Sequence, residues 1–222
     1  NNVMKRKYPT NFRYNQMETS TALMGYRYID QGICVGCSTA SACQSLISVN
    51  GYNGVGEYAV GIYERAKKGT ANEDKTGLMV GRGAKEAVRT FNEELEDHKL
   101  STVKLVNDAA SIREHLLNKG TVVAGFRWTE GMAYPAPLIP PNTPWYRRLW
   151  YHLRAPRFAT NSGNKIGLHA IAVMGIDDEK KAFILQNSYG LGYGNKGLVY
   201  VTFKDFNDVC KVAYGFECTS IE

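Results

Sequence analysis

The spacing of apolar residues changes at Gly120, and this change constrains the fold more than any other feature of the chain. Before it, apolar residues recur at helical intervals, which predicts helices over residues 38–49, 56–68, 83–95 and 109–119. After it come short β-rich runs separated by glycine and aspartate turns, at residues 121–126, 169–176, 182–186, 198–202 and 214–218. Helices followed by strands predict an α+β fold, with a mainly helical lobe at 31–120 and a mainly β lobe at 121–222.

The composition is that of an ordinary folded chain. Its 222 residues are 44% hydrophobic and 22% charged, which fits a single domain spanning 1–222. Residues 1–30 are polar and rich in turn-forming residues, and we expect an extended arm there. The net charge of +6 comes from scattered lysines and arginines, so the sequence does not indicate nucleic-acid binding. No run of about 18 apolar residues predicts a membrane span, and the start carries no signal-peptide pattern, so the compartment is left open.

Cys37 follows Gly36 at the end of a predicted loop over residues 31–37, where the first helix is expected to begin. Unpaired N–H groups and the partial positive charge of a helix N-terminus stabilise a thiolate. This placement favours Cys37 as a nucleophile. The alternative is a buried cysteine that is unreactive and serves only packing.

A second alternative is a Cys-x-x-Cys metal or redox site formed by Cys34 and Cys37. A zinc site needs about four ligands, and Cys210 and Cys218 are not separated by a usual ligand spacing. A thioredoxin-like motif should follow a strand, and the residues before the motif do not have a strand pattern. The sequence therefore predicts neither a metal nor a cofactor.

The four histidines differ in their surroundings. His98 lies in a charged stretch and His115 on an amphipathic helix, so both are predicted at the surface, whereas His152 lies in a proline-rich segment. His169 opens an apolar β-rich run, and Asn187 ends the next one. If those strands pair, an amide oxygen can accept from the imidazole N–H and orient the ring, as in a catalytic triad. The alternative for His169 is a core histidine whose ring nitrogens are hydrogen-bonded. The alternative for Asn187 is a turn residue at the end of a strand.

Three segments together resemble the papain-like (C1-type) cysteine peptidases. Residues 31–37 resemble the nucleophile segment Gln-Gly-x-Cys-Gly-Ser-Cys-Trp, and residues 168–170 resemble the histidine strand. Residues 187–194 resemble the family's Asn-Ser-Trp-Gly and Gly-Trp-Gly segments. The separations of 132 and 150 residues from the cysteine agree with about 130–150 for the family. Three motifs in family order are far more specific than any one of them.

The resemblance implies a papain-like fold, with the active-site cleft between a helical N-terminal lobe and a β-sheet or barrel-like C-terminal lobe. It implies hydrolysis of protein or peptide substrates by Cys37, His169 and Asn187 through a thioester, without a metal or organic cofactor. In that mechanism Cys37 and His169 are expected to rest largely as a thiolate–imidazolium pair. Gln31, six residues before the nucleophile, takes the position of the family's oxyanion-hole glutamine. Weaker implied substrate contacts are Gly77, Leu168 and Tyr189.

The chain departs from the family pattern at the site. Ser38 replaces the aromatic residue after the nucleophile, and Tyr189 replaces the tryptophan that shields the His–Asn hydrogen bond. Cys34 takes the position of a cysteine that is disulfide-bonded in many relatives, but no partner exists where theirs lies. In pattern the chain is most similar to disulfide-poor microbial or viral members. These departures leave the three triad residues in place. They bear on how high the activity is and on which substrates it acts.

A long excursion at residues 128–165 separates two predicted strands. Residues 135–156 hold six of the chain's seven prolines, and no acidic residue occurs from Gly131 through Ile176. We predict an ordered, irregular segment whose aromatic residues either pack on their own domain or form a rim or protein-partner surface between Trp145 and Trp150.

The motifs leave two functional alternatives open. The same triad supports other acyl-transfer reactions, namely deamidation, transglutamination and cleavage of cell-wall peptides. A non-catalytic structural homologue that retains the fold is the second alternative.

Overall fold

The computed structural model describes residues 11–13, 33–47, 55–71, 73, 77–190 and 192–221. Gln31 and most of the predicted arm at 1–30 lie outside the described residues. From the arm, one short strand is described, β1 (Asn11–Arg13), which pairs with residues 175–177.

Three helices pack together in the first half of the chain: α1 (Cys34–Ile47), α2 (Val55–Lys67) and α3 (Val80–Asn92). α1 is buried along almost its whole length. It begins at Cys34, so the loop predicted over residues 31–37 is wrong from Cys34 onward, while residues 31 and 32 lie outside the described part of the chain. Gly36 accounts for the error, because a Cβ there would lie 2.2 Å from the Ala59 carbonyl oxygen of α2. That glycine allows close helix packing and does not mark a turn.

The remaining elements alternate strands with short helices. In chain order they are β2 (His98–Leu105), α4 (Ala109–Asn118), β3 (Val122–Thr129), α5 (Glu130–Ala133), β4 (Ala136–Pro137), α6 (Trp145–Arg154), β5 (Arg157–Phe158), β6 (Lys165–Asp177), β7 (Ala182–Gln186), β8 (Leu198–Thr202), α7 (Phe203–Val209) and β9 (Cys210–Ser220). The predicted cap of α4 is present, since Asp108 accepts a hydrogen bond from the Ser111 N–H at 2.8 Å. The predicted α+β class is confirmed.

The strands form one sheet in the order β2-β9-β3-β6-β7-β8-β5-β4, with β1 added beside β6. Side chains alternate across it, so β3 places Val122 and Ala124 in one apolar core and Val123 in another. The second core contains α1, α2 and α3 together with Ala170 and Ala172 of β6. The strand that carries His169 is therefore held directly against the helix that carries Cys37.

Several predictions about the remaining segments are wrong. His115 is buried rather than at the surface, because its imidazole contacts the Phe216 carbonyl of β9 at 3.1 Å (Nε2 to O). β2 lies in the half predicted to be mainly helical, and α7 was not predicted. The 128–165 excursion is not irregular, since it contains α5, β4, α6 and β5.

None of the described helices is long and apolar enough to span a bilayer.

Candidate active site

Cys37 lies in the first turn of α1, with 1% of its surface exposed. The side chain of Ser188 lies within hydrogen-bonding reach of its thiol. Cys37 and Ser188 are 151 residues apart in sequence, so packing of α1 against the sheet creates this contact. The nucleophile candidate thereby adjoins the segment that begins with Asn187.

Pairing of β6 with β7 brings His169 and Asn187 together. Ala172 of β6 is opposite Gln186 of β7, and Asn187 follows as the strand ends. The His169 Nε2 atom lies 2.8 Å from the Asn187 Oδ1 atom, and both residues are buried. The predicted His–Asn pair is present in this geometry.

A second hydrogen bond fixes the orientation of the Asn187 amide. Its Oδ1 also accepts from the backbone N–H of Ser188 at 2.8 Å, and an N–H group can donate only to the oxygen end of the amide. His169 must then donate through Nε2–H, which leaves Nδ1 with its lone pair in the neutral ring. The imidazole is thus held in the tautomer that a general base requires.

Two aromatic rings cover the imidazole. The Trp128 ring lies 4.6 Å from the ring of His169 and the Tyr189 ring lies 4.9 Å from it, centroid to centroid. Tyr189 thus contacts the imidazole that the family's tryptophan would shield, and Trp128 covers the same ring. The sequence analysis missed Trp128, although it lies on β3 opposite Gly167, two residues before the histidine. A glycine across from a tryptophan leaves room for the indole and was the available signal.

Burial disfavours charge on both reactive groups. It raises the pKa of the Cys37 thiol, and the neighbouring Cys34 raises it further, while Ser188 and the cysteine's own N–H act in the opposite direction. Burial also lowers the pKa of His169 to about 4, against the opposing effect of its bond to Asn187. Both shifts favour a neutral thiol beside a neutral imidazole at neutral pH.

These pKa shifts bear on whether Cys37 and His169 are charged before a substrate binds. The sequence predicts a thiolate–imidazolium pair, stabilised by the helix end. No hydrogen bond joins Cys37 to His169 in the described part of the chain, and burial opposes each charge. The ion pair stays a prediction, and the burial of both groups opposes it.

The predicted substrate contacts are only partly assembled around the histidine. Leu168 is 74% exposed and Tyr189 is 41% exposed, so both side chains are accessible to a ligand. Gly77 has a φ of 100°, and a Cβ built there would meet no atom within 4 Å. Ser38 is buried, and its hydroxyl donates to the Val35 carbonyl at 3.3 Å, so its side chain is directed into the helix.

The cysteines form no disulfide bond, and all five lie in the described part of the chain. The described residues also contain no group of three or more His, Cys, Asp or Glu side chains placed to hold a metal ion. Cys34 and Cys37 occupy one turn of α1 without further ligands of that kind.

Solved structures of cysteine proteases are similar to this fold. The match to xylellain, a cysteine protease from Xylella fastidiosa, covers 93% of this chain and 91% of that one, with a TM-score of 0.54 and 15% identity. The match to procathepsin L 3 of Tenebrio molitor larval midgut covers 97% and 72%, with a TM-score of 0.56 and 14% identity. A Carica candamarcensis cysteine protease matches over 95% and 99%, at 0.51 and 13%. No protein-family model and no curated protein sequence matches the chain. At these identities the similarity concerns the fold, and the predicted papain-like fold is confirmed.

Proposed function

We propose that this chain, whose fold is papain-like, is a cysteine peptidase in which Cys37 is the nucleophile, His169 the general base and Asn187 the residue that orients the base. The observation that carries the proposal is the buried His169–Asn187 hydrogen bond. Ser188, the residue after Asn187, is one of the groups that act on the thiol of Cys37 in the first turn of α1. The substrate is a protein or peptide.

The first half-reaction forms a thioester. The Cys37 thiol transfers its proton to Nδ1 of His169 as the sulfur attacks a peptide carbonyl, which produces an oxyanion and an imidazolium. The Nε2–H bond to Asn187 keeps the ring in place while the positive charge develops. The imidazolium then donates its proton to the leaving amine as the C–N bond breaks.

The second half-reaction returns the enzyme to its resting state. A water molecule gives a proton to His169 and attacks the thioester carbonyl, and the C–S bond breaks to release the carboxylic acid and the thiol. We assign stabilisation of the oxyanion to the Cys37 N–H and the Gln31 side chain, an assignment that rests on the family motif because Gln31 lies outside the described residues.

A pair of cysteine variants tests the proposal. Cys37→Ala should abolish peptide hydrolysis, since it removes the proposed nucleophile. Cys34→Ala is the matched control, because it removes a thiol from the same helical turn and should leave most of the activity. Turnover of a fluorogenic peptide and of unfolded casein measures both. Equal loss in the two variants would point to a coupled Cys-x-x-Cys site and refute the assignment.

A further inference from the structure

The helix α6 stands out because none of its residues is buried. Five of its aromatic and aliphatic side chains are at least 54% exposed, whereas Tyr151 is only partly exposed. Single exposed apolar residues are normal, but a row of them on one helix marks an interaction site. They are Trp145, Tyr146, Leu149, Trp150 and Leu153.

These apolar residues lie on one side of the helix. At 3.6 residues per turn, the five positions fall within an arc of about 140°. The other side carries Arg147, Arg148, Tyr151, His152 and Arg154, in sequence order. The helix is therefore amphipathic, with an aromatic and aliphatic face opposite a basic face.

Local bonds hold the helix in this conformation. It begins after Pro144, whose carbonyl accepts from the Arg147 and Arg148 N–H groups at 3.0 Å each. At its other end the Arg157 guanidinium donates to the His152 carbonyl, and the Ala155 N–H donates to the Tyr151 carbonyl at 3.0 Å. The exposed face is therefore presented by a helix with both ends hydrogen-bonded.

The arginines of the helix form no ion pair with an acidic residue in the described part of the chain. They are Arg147, Arg148 and Arg154. The sequence from Gly131 through Ile176 contains no acidic residue, so the positive charge of this segment is not neutralised along the chain. An anionic partner is electrostatically complementary to it.

We propose that α6 is a membrane-docking helix that lies in the interface of an anionic lipid bilayer. Its apolar face would enter the boundary between headgroups and acyl chains, where Trp and Tyr side chains are favoured. Arg147 and Arg154, on the basic side near the edge of the apolar arc, would contact lipid phosphates. A bilayer fits better than an acidic protein because the apolar surface is a stripe along a helix with no buried residue, and a flat fluid surface can accept such a stripe whole.

Vesicle flotation with the full chain tests the proposal. We expect binding to vesicles of phosphatidylcholine and phosphatidylserine at about 7:3, and at least tenfold weaker binding to pure phosphatidylcholine. Leu149→Glu with Leu153→Glu should reduce binding at least tenfold, whereas Val106→Glu, on an exposed loop residue elsewhere, should not. Arg147→Gln with Arg154→Gln should reduce it about 25-fold, about fivefold for each charge. Lys204→Gln with Lys211→Gln removes equal charge elsewhere and is the control.

Tryptophan fluorescence adds a readout of insertion. Trp145 and Trp150 should shift to the blue and be quenched by brominated lipid, whereas Trp128 is already buried and should not respond. Absence of vesicle binding, or binding that the Leu149→Glu and Leu153→Glu pair leaves unchanged, would overturn the proposal. Two other results without vesicle binding would overturn it too, provided that they depend on these leucines. One is self-association in sedimentation velocity, and the other is capture of a poly-glutamate peptide. Such results would assign the face to a second copy or to an acidic protein.

Discussion

The Asn187 side-chain oxygen determines the state of the site at the residue scale. It accepts from the His169 imidazole and from the Ser188 backbone, each at 2.8 Å. The ring is therefore fixed in position and in tautomer before any substrate arrives. Trp128 and Tyr189 pack on the imidazole that makes this hydrogen bond, and burial lowers the pKa of the histidine.

Asn187→Asp should raise the pKa of His169 well above its value of about 4. A carboxylate in the place of the amide would lie about one hydrogen bond from the ring and would favour the imidazolium. An NMR titration of the imidazole resonances measures this, and His115, bound to the Phe216 carbonyl elsewhere, is an internal control that should not shift. An unchanged titration of His169 in the variant would show that the two side chains are not paired in solution.

The lowered pKa of His169 also predicts a loss of stability in acid. Between the unfolded value of about 6.5 and the folded value of about 4, the unfolded chain binds a proton that the folded chain does not. The free energy of unfolding therefore falls as the pH falls through this window, by about 2 kcal/mol between pH 7 and pH 5 from this residue. Urea unfolding should show this loss in the wild type relative to His169→Gln. A parallel pH dependence of the two proteins would contradict the buried, neutral histidine.

At the element scale, the close contact between α1 and α2 positions the start of α1, where Cys37 lies. Gly36 makes this contact possible, since a Cβ there would lie 2.2 Å from the Ala59 carbonyl oxygen. A backbone oxygen in the neighbouring helix cannot move aside cheaply. The glycine next to the candidate nucleophile is therefore required for packing.

Gly36→Ala should lower the free energy of unfolding by about 2 kcal/mol or more, because the added methyl group forces the two helices apart. Gly61→Ala in α2 is a matched control, since its Cβ would meet the flexible end of Arg65 at 3.1 Å. That variant should be neutral or more stable by up to about 1 kcal/mol, as alanine is the better helix former. Urea unfolding compares the two, and equal effects would mean that the α1–α2 contact is not as close as described.

The sequence predicted the elements whose apolar residues recur with a clear helix or strand period. It missed the elements in which this period is weak. α2, α3, α4, β7 and β8 lie close to their predicted positions. β2 was missed because it is an edge strand, paired only with β9, and Leu100 is its single buried residue. α6 was missed because the prolines were interpreted as irregular structure. Pro144 precedes the helix and Pro156 follows it, and prolines in those places delimit helices.

At the scale of the whole molecule, the sheet and α1 assemble the candidate site from distant segments. The sequence motifs identified Cys37, His169 and Asn187, and the strand pattern anticipated that the last two would be adjacent. The pattern did not anticipate Ser188 beside Cys37, because that contact depends on long-range packing of α1 against β6 and the segment after β7. For the same reason it did not anticipate how far burial opposes charge on the thiol and the imidazole.

Covalent labelling by an epoxide inhibitor of thiol peptidases tests the proposed site most directly. The full chain is treated at pH 6, its intact mass is measured, and the labelled peptide is mapped. We predict one adduct per chain, on Cys37, and loss of labelling in His169→Ala, because the buried thiol needs the neighbouring base to react. Labelling on Cys34 or Cys218, no labelling of the folded chain, or labelling of Cys37 that is indifferent to His169→Ala would contradict the proposed catalytic site.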